Sequence, residues 1–165
     1  MFWRLKLDRV NNILQNDKYK EYIKKNEFYE KDRIFCLHDM QHFLDVARIG
    51  YILSLEKGIK IKKDMIYAAA ILHDIGRWKE YKDGIPHEEA GAELAKDILN
   101  ECNFNQEETL MILQAIRNHR KKDNNPGTLS ELLYKSDKLS RGCFQCKAKK
   151  QCKWSDEKKN LNIQY

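Results

Sequence analysis

A histidine followed directly by an aspartate, His73-Asp74, lies at the end of an apolar run over residues 66–72. Polar groups in that setting are costly to bury unless something compensates them. A divalent transition metal would compensate both side chains at once, because neutral imidazole and carboxylate are good ligands for first-row metals. The pair therefore predicts a buried metal site.

Four more residues can complete this site, and each lies on a different predicted helix or helix end. His42 lies within a helix, His87 at a helix start, His119 in the last turn of a helix, and Asp137 in the last helix. A metal site in the core of a helical bundle requires this arrangement. Taken singly, each histidine is more often a hydrogen-bonded or exposed side chain, and the aspartate an ion-pair partner. The ordered set favours metal binding.

Apolar residues at helical spacing predict the helices that position these ligands. Two short amphipathic helices fall within the first part of the chain, one containing Leu5 and one starting at Asp17. A long helix covers 34–56 and stops before Gly58. The following helix is capped by Asp64 and ends near Gly76, beyond the His-Asp pair.

Start signals for three further helices follow in the second half of the chain. Pro86 suits the first turn of one helix. The pairs Asn105/Glu108 and Thr128/Glu131 have the spacing of capping boxes. The chain is therefore predicted to be a compact all-α bundle, with one domain over 1–141 and a basic, Cys-containing irregular extension over 142–165 packed on it.

Composition agrees with this prediction and limits the partners. The 165 residues include only 2 Pro and 7 Gly, which favours long helices over many short strands. No apolar stretch approaches the roughly 20 residues that span a bilayer, and no signal peptide is recognisable, so a cytoplasmic protein without a membrane partner is expected. The net charge of +6 favours an anionic partner, although a solvated, lysine-rich surface explains it equally well.

The order H…HD…D, formed by His42, His73-Asp74 and Asp137, resembles the HD-domain superfamily of metal-dependent phosphohydrolases. The segments that carry the resemblance read HFLDVAR, AILHDIGR and SDKL, and it extends over roughly residues 33–141. It implies an all-helical fold and a phosphate ester or anhydride as substrate.

Residues 87–95 and 115–119 also resemble the extra histidine positions of the dinuclear subgroup, H…HD…H…H…D, which includes bacterial symmetrical dinucleoside-tetraphosphate hydrolases. Where the cyclic-dinucleotide phosphodiesterases have two successive histidines, this chain has His119-Arg120, which disfavours that branch. The resemblance implies two metals bridged by Asp74: His42, His73, Asp74 and Asp137 hold the first, and His87 and His119 hold the second.

Two divalent ions would activate water and clamp phosphate oxygens, and Asp74 could steer the proton of that water as the catalytic residue. The mixed nitrogen and oxygen ligands suit Fe, Mn, Co, Ni or Zn. Phosphoryl transfer also needs cations near the substrate. The candidates are Lys138 and Arg141, then Arg77, with Arg120 also near the ligands, although some of these are expected to be surface charges.

Two residues ahead of His42 are predicted to support the site. His38 falls one helical turn before His42 on the same face, and Arg33 lies further upstream. Either could orient a ligand or contact a leaving group. A partly exposed helix residue is the alternative for both.

Three cysteines, Cys143, Cys146 and Cys152, form the pattern C-x2-C-x5-C in a lysine-rich segment. They are one ligand short of a closed zinc or iron–sulfur site. Cys36 could supply the fourth ligand if the extension folds back over the mouth of the active site. A flexible basic tail with free thiols, which collects anionic substrate, is the other interpretation, and Cys102 is expected to be a core thiol.

The sequence thus predicts a hydrolase that acts on a small anionic phosphate substrate, a nucleotide or dinucleotide-like ester. Dinuclear sites of the same superfamily also support iron oxygenases that use O2, so that class stays open. A non-catalytic regulator that binds nucleotide or nucleic acid is the third possibility. No recognition motif of interleaved aromatic and basic residues is present in the sequence. A non-catalytic regulator and a nucleic-acid partner are therefore both disfavoured.

Overall fold

The computed structural model describes residues 7–122 and 125–165; Leu5, expected in the first helix, lies outside these ranges. The described residues form eight α-helices and no strand, which confirms the all-α prediction. The helices are α1 (Asp8–Gln15), α2 (Asp17–Glu30), α3 (Met40–Glu56), α4 (Lys63–Leu72), α5 (Arg77–Asp83), α6 (His87–Glu101), α7 (Gln106–Asn118) and α8 (Leu129–Leu139). None of them is long and apolar enough to cross a membrane.

The central element is α4, which is apolar on nearly every side. Residues 68–72 are all at most 1% exposed, and the helix packs against α1, α3, α6, α7 and α8. A helix that is hydrophobic all round has to be surrounded by others. His73 and Asp74 follow its last residue directly and are therefore placed inside the bundle.

The long helix α3 begins at Met40, six residues later than the apolar pattern predicts. Its start is fixed by Asp39, whose side chain accepts a hydrogen bond from the backbone N–H of His42. Ile34, Phe35 and Leu37, which extended the pattern, lie in the preceding loop and are exposed. His38 is consequently a loop residue rather than one helical turn before His42, and Cys36 lies in the same loop.

Three other predicted boundaries around α4 and α6 were wrong. The helix α4 ends at Leu72 instead of near Gly76, and it is preceded by Lys62, so Asp64 lies in its first turn and does not cap it. The short helix α5 was not predicted at all; Gly84 ends it in the left-handed conformation (φ 70°). Pro86 immediately precedes α6 instead of lying within its first turn.

The predicted stop and start signals elsewhere are present. Gly58 follows α3 with φ 64°, and Asn105 and Glu108 form the complete capping box of α7. At α8 the side chain of Thr128 accepts from the N–H of Glu131, and the Glu131 carboxylate accepts from the N–H of Gly127. Local side-chain hydrogen bonds therefore set where α7 and α8 begin.

An ion-pair network around the buried carboxylate of Glu108 joins α1, α4 and α7. Arg9 donates to Asp64 and, at 2.5 Å, to Oε2 of Glu108. The other carboxylate oxygen of Glu108, Oε1, accepts from Lys62 at 2.8 Å. The hydrogen bond from Arg9, against a smaller opposing effect of burial, lowers the pKa of Glu108 to about 2. This network positions the start of the helix that leads to His73.

Glu108→Gln is expected to lower the free energy of unfolding at pH 7 by about 1–3 kcal/mol, because charged hydrogen bonds are lost. The folded-state pKa of Glu108 lies below its usual value of 4.5, so this stabilisation is complete above that pH and is lost as the pH falls towards 2. Urea unfolding at several pH values should show the gap between wild type and variant closing in acid. Glu107→Gln, an exposed neighbour in the same helical turn, is the control and should change little. A gap independent of pH would contradict the assignment.

Beyond α8 the chain is irregular apart from a 3-10 turn at Cys143–Gln145. The amide of Asn160 donates to the carbonyls of Lys138 and Arg141, at 2.7 and 2.9 Å. The guanidinium of Arg141 lies 5.3 Å from the ring centroid of Trp154. The extension therefore folds back against the end of α8.

Candidate metal centre

The six predicted ligands come together at one end of α4, and all are at most 8% exposed. Among the described residues, two groups of possible ligand atoms lie within 4.8 Å of one another: His42, His73 and Asp137, and His73, Asp74 and His119. His87 adjoins the second group, with Nε2 3.2 Å from Oδ1 of Asp74. The ligands come from α3, the end of α4, α6, the end of α7 and α8.

The two carboxylate oxygens of Asp74 face opposite halves of this centre. Oδ2 lies 2.9 Å from Nε2 of His73 and 3.7 Å from Nε2 of His42. Oδ1 lies 3.2 Å from Nε2 of His87 and 3.7 Å from Nε2 of His119. Asp137 belongs to the first half, with Oδ1 3.4 Å from Nε2 of His42. Each oxygen of Asp74 therefore faces a different pair of histidine nitrogens.

Backbone carbonyls fix the orientation of two histidine rings. Nδ1 of His73 donates to the carbonyl of Ala70 at 2.7 Å, and Nδ1 of His119 donates to the carbonyl of Ile116 at 2.6 Å. Because a carbonyl can only accept, each ring carries a proton on Nδ1, and in its neutral form it directs the Nε2 lone pair into the centre. Burial, followed by the neighbouring His73, lowers the pKa of His119 to about 3, so this ring is neutral.

The residues fit a divalent metal. The buried Nε2 atoms of His42 and His73 have no hydrogen-bond partner and face carboxylate oxygens. Nε2 of His87 and Nε2 of His119 lie 3.1 Å apart, and two nitrogens that bind one ion side by side at about 2.1 Å are about 3 Å apart. A cation would satisfy the Nε2 lone pairs of His87 and His119, which otherwise oppose each other. The mixed set of nitrogen and oxygen ligands suits Fe, Mn, Co, Ni or Zn.

Both carboxylates of the centre are held in the ionised form. Burial opposes ionisation of Asp74, but His73, Arg77 and His38 outweigh it and hold the pKa well below its usual range. Burial also opposes ionisation of Asp137, but the facing His42 ring and the cations Arg141 and Lys138 hold its pKa well below its usual range. Ionised carboxylates are the form that binds metal.

The cationic residues predicted for substrate lie around a cavity of about 760 Å³ that opens over the centre. Nε of Arg77 donates to Asp74 at 3.2 Å, while Lys138 and Arg141 contact Asp137 at 2.5 and 3.1 Å. Arg120 is half-exposed and pairs with Glu88 at 3.2 Å. All four line the cavity, and the first three contact carboxylates of the centre.

His38 lies beside the centre, although its position on a helix was wrongly predicted. Its Nδ1 is 2.6 Å from Oε1 of Glu30, and its Nε2 is 3.8 Å from Oδ2 of Asp74 without a hydrogen-bond partner. Arg33, the other predicted supporting residue, donates to the carbonyl of Cys36 and lines the cavity. The Glu30 carboxylate fixes the His38 ring in the same way as the carbonyls fix His73 and His119.

Two supporting residues have no signal in the sequence. The amide of Asn26, 1% exposed on α2, donates to the carbonyl of Asp74 at 2.9 Å and accepts from the N–H of Trp78 at 2.8 Å. Glu80 accepts from Nδ1 of His87 at 2.5 Å. A polar residue on an amphipathic helix usually faces solvent, so only the observed packing identifies Asn26 and Glu80.

Gly76 permits the turn after Asp74 to touch α6. A Cβ at this position would lie 2.4 Å from the backbone nitrogen of Gly91 and 2.6 Å from the carbonyl oxygen of His87. Both distances are well below any ordinary contact, and both neighbours are backbone atoms. The glycine therefore fixes how closely His87 approaches Asp74.

Of the five cysteines, Cys36, Cys143, Cys146 and Cys152 line the cavity, and Cys102 is buried in the core as expected. All five are free thiols. Within the described residues no three cysteine sulfurs lie within 4.8 Å of one another. The extension folds over the mouth of the site, and this is the arrangement in which Cys36 could act together with Cys143, Cys146 and Cys152.

Comparison with known proteins agrees with the arrangement. The family model described as "HD domain" matches residues 39–142. A protein of Clostridium beijerinckii (strain ATCC 51743 / NCIMB 8052), described as uncharacterized, is 46% identical over 159 residues, which are 96% of this chain and 100% of the relative. Ribonuclease Y of Lawsonia intracellularis (strain PHE/MN1-00) is 36% identical over 102 residues, which are 61% of this chain and 18% of the relative. No solved structure matches the chain.

Proposed function

The chain belongs to the HD-domain superfamily of metal-dependent phosphohydrolases, and from this premise we propose that it hydrolyses a nucleotide or dinucleotide-like phosphate ester at a centre of two divalent ions. The observation that carries the proposal is the position of Asp74, whose two oxygens face separate groups of histidines. A single-ion site would need only one of these groups.

His42, His73 and Asp137 would hold one ion, His87 and His119 the other, and Asp74 both. When bound, the ions supply Lewis acidity for the phosphate oxygens and an activated water. The chain itself contributes fixed ligand orientations and ionised carboxylates, so that little reorganisation accompanies the reaction. The Glu30–His38 pair places a ring nitrogen beside Asp74, in position to take a proton released near that carboxylate.

Substrate phosphate is bound by cations at the cavity wall. Lys138 and Arg141 lie on the Asp137 side, and Arg77 lies on the Asp74 side, so the two groups flank the centre. Further lysines of the extension, among them Lys149 and Lys153, line the outer part of the same cavity. Their spread over the cavity suits a substrate with more than one phosphate, as in a dinucleoside polyphosphate.

An RNA phosphodiester is a second candidate substrate. The similarity to Ribonuclease Y favours it, together with the basic lining of the cavity. The same metal chemistry would serve either ester. The two candidates differ in whether a free mononucleotide or dinucleotide is sufficient for turnover.

The function is tested by removing and restoring the metal. Protein stripped with a chelator is expected to be inactive, and reloading with Mn, Fe(II), Co, Ni or Zn should restore cleavage of at least one substrate. The panel contains dinucleoside polyphosphates, mononucleotides, p-nitrophenyl phosphate and a short RNA, and metal content is measured in parallel.

Two ions per chain with turnover of a nucleotide would support the proposal, and turnover of RNA alone would support the second candidate. One ion per chain in the active protein would overturn the roles given to His87 and His119. Oxygen consumption by the iron-loaded protein without phosphate release would favour the oxygenase class instead. An inactive, metal-free protein under all conditions would contradict the enzymatic function.

A further inference from the structure

Four cysteines that the proposed function does not use line the cavity over the centre. Cys36 comes from the loop before α3, Cys143 from the 3-10 turn, Cys146 from the residue directly after that turn, and Cys152 from the irregular segment that follows. The N–H of Cys146 donates to the carbonyl of Cys143, which closes the tight turn typical of two metal-binding cysteines separated by two residues. The chain therefore supplies four thiols to one cavity from two distant segments.

The structure shows how Cys36 is brought to the extension. Its carbonyl accepts a hydrogen bond from Arg33 at 2.9 Å, and its side chain acts electrostatically on the guanidinium of Arg141, two residues before Cys143. Arg141 is itself held by Asp137 and Trp154. The loop before α3 and the start of the extension thus share one anchoring residue.

The extension has almost no apolar core of its own. Among residues 142–165 only Cys143 and Ala148 are buried apolar residues, and no disulfide is formed. A segment of this size without a core usually needs a metal or a disulfide to keep one conformation. Four free thiols in one cavity provide ligands for a metal at the point where this segment meets the bundle.

We propose that Cys36, Cys143, Cys146 and Cys152 hold an iron–sulfur cluster of the four-iron type that closes the extension over the hydrolytic centre. Four sulfurs around one zinc ion stand about 3.8 Å apart, given a Zn–S bond of about 2.3 Å. The described cysteines include no such close group. A four-iron cluster separates its thiolates more widely, because each thiolate binds a different iron.

The charges around the four cysteines suit this occupant. A four-iron cluster with its four thiolates is an anion, and it would lie in a cavity lined by Arg33, Arg141, Lys149, Lys153, Lys158 and Lys159. Only Lys159 among these lysines is paired within the extension, with Asp156 at 2.9 Å. Binding of the cluster would also fix the lysines that face the substrate.

The test uses the full chain purified without oxygen, with iron, acid-labile sulfide and zinc measured per chain. Wild type is expected to contain four sulfides and a broad visible absorption that dithionite bleaches. Cys36→Ser and Cys152→Ser should lose the sulfide and the absorption, and trypsin should cut their lysine-rich extension faster. Cys102→Ser, a buried thiol outside the cavity, is the control and should keep both signals.

The variant Asp74→Ala distinguishes iron bound at the hydrolytic centre from iron bound in the cluster. This variant should lose metal that carries no sulfide and keep the full sulfide content, so failure of the cluster and failure of the proposed function are distinguishable. Far-UV circular dichroism confirms that each variant retains its helices. A zinc-loaded, sulfide-free wild type would overturn the cluster, and full sulfide in Cys36→Ser would overturn Cys36 as a ligand.

Discussion

Asp74→Asn is expected to abolish hydrolysis, lowering kcat by about 10³-fold or more even at saturating metal. Loss of a partner that only orients a ligand typically costs 10–100-fold, and Asp74 would bind both ions directly. The two carboxylate oxygens lie 2.9 Å from Nε2 of His73 and 3.2 Å from Nε2 of His87. An amide has one oxygen and no negative charge, so it cannot bind an ion on each of these two sides. Metal content should fall together with kcat.

Asp64→Asn is the matched control for this result. Asp64 lies in the first turn of α4, at the end of the helix away from Asp74, and pairs with Arg9. Its substitution should alter stability slightly and leave kcat and metal content at wild-type values. Retention of two ions and of most of kcat in Asp74→Asn would show that Asp74 does not bridge the ions.

Gly76→Ala is expected to lower the free energy of unfolding by about 3 kcal/mol and to weaken metal binding. The added methyl group would meet backbone atoms of His87 and Gly91 at 2.6 and 2.4 Å, so α6 has to move away from the turn. That movement separates His87 from Asp74. Urea unfolding measures the first effect, and metal titration of the folded protein measures the second.

Gly142→Ala separates this steric effect from a general effect of replacing glycine. Gly76 and Gly142 both have negative φ, −86° and −79°, so neither backbone resists alanine. The nearest atom to a Cβ at Gly142 is the end of the Gln145 side chain at 3.3 Å, which can rotate away. Equal stability of the two alanine variants would contradict the packing role of Gly76.

The sequence was sufficient to predict the fold class and the grouping of the six polar residues. The apolar run before His73 identifies a buried helix, and burial of His-Asp at its end is what requires a compensating partner. The glycine and capping signals at Gly58 and Asn105 also predicted real boundaries, because they act through local hydrogen bonds and φ angles.

Predictions failed where a local capping residue overrode the apolar pattern and where a non-local contact decides the structure. The apolar pattern extended α3 back to Ile34, but the side chain of Asp39 starts the helix later and leaves Ile34 exposed. The short helix α5 has little apolar periodicity. The side chain of Asn26 accepts from the N–H of Trp78 at its start, and Gly84 ends it. The contact between Asn26 and Trp78 joins residues 52 positions apart, so no spacing in the sequence could reveal it.

The ligands of the centre extend from His42 to Asp137 and come from five separate elements. Metal binding therefore acts as a cross-link of the native chain, since the unfolded chain cannot assemble the same ligands. By mass action, free metal at 100 times its dissociation constant adds about 2.7 kcal/mol to the free energy of unfolding. The supply of metal in the surroundings would thus govern how long the protein survives as well as how fast it works.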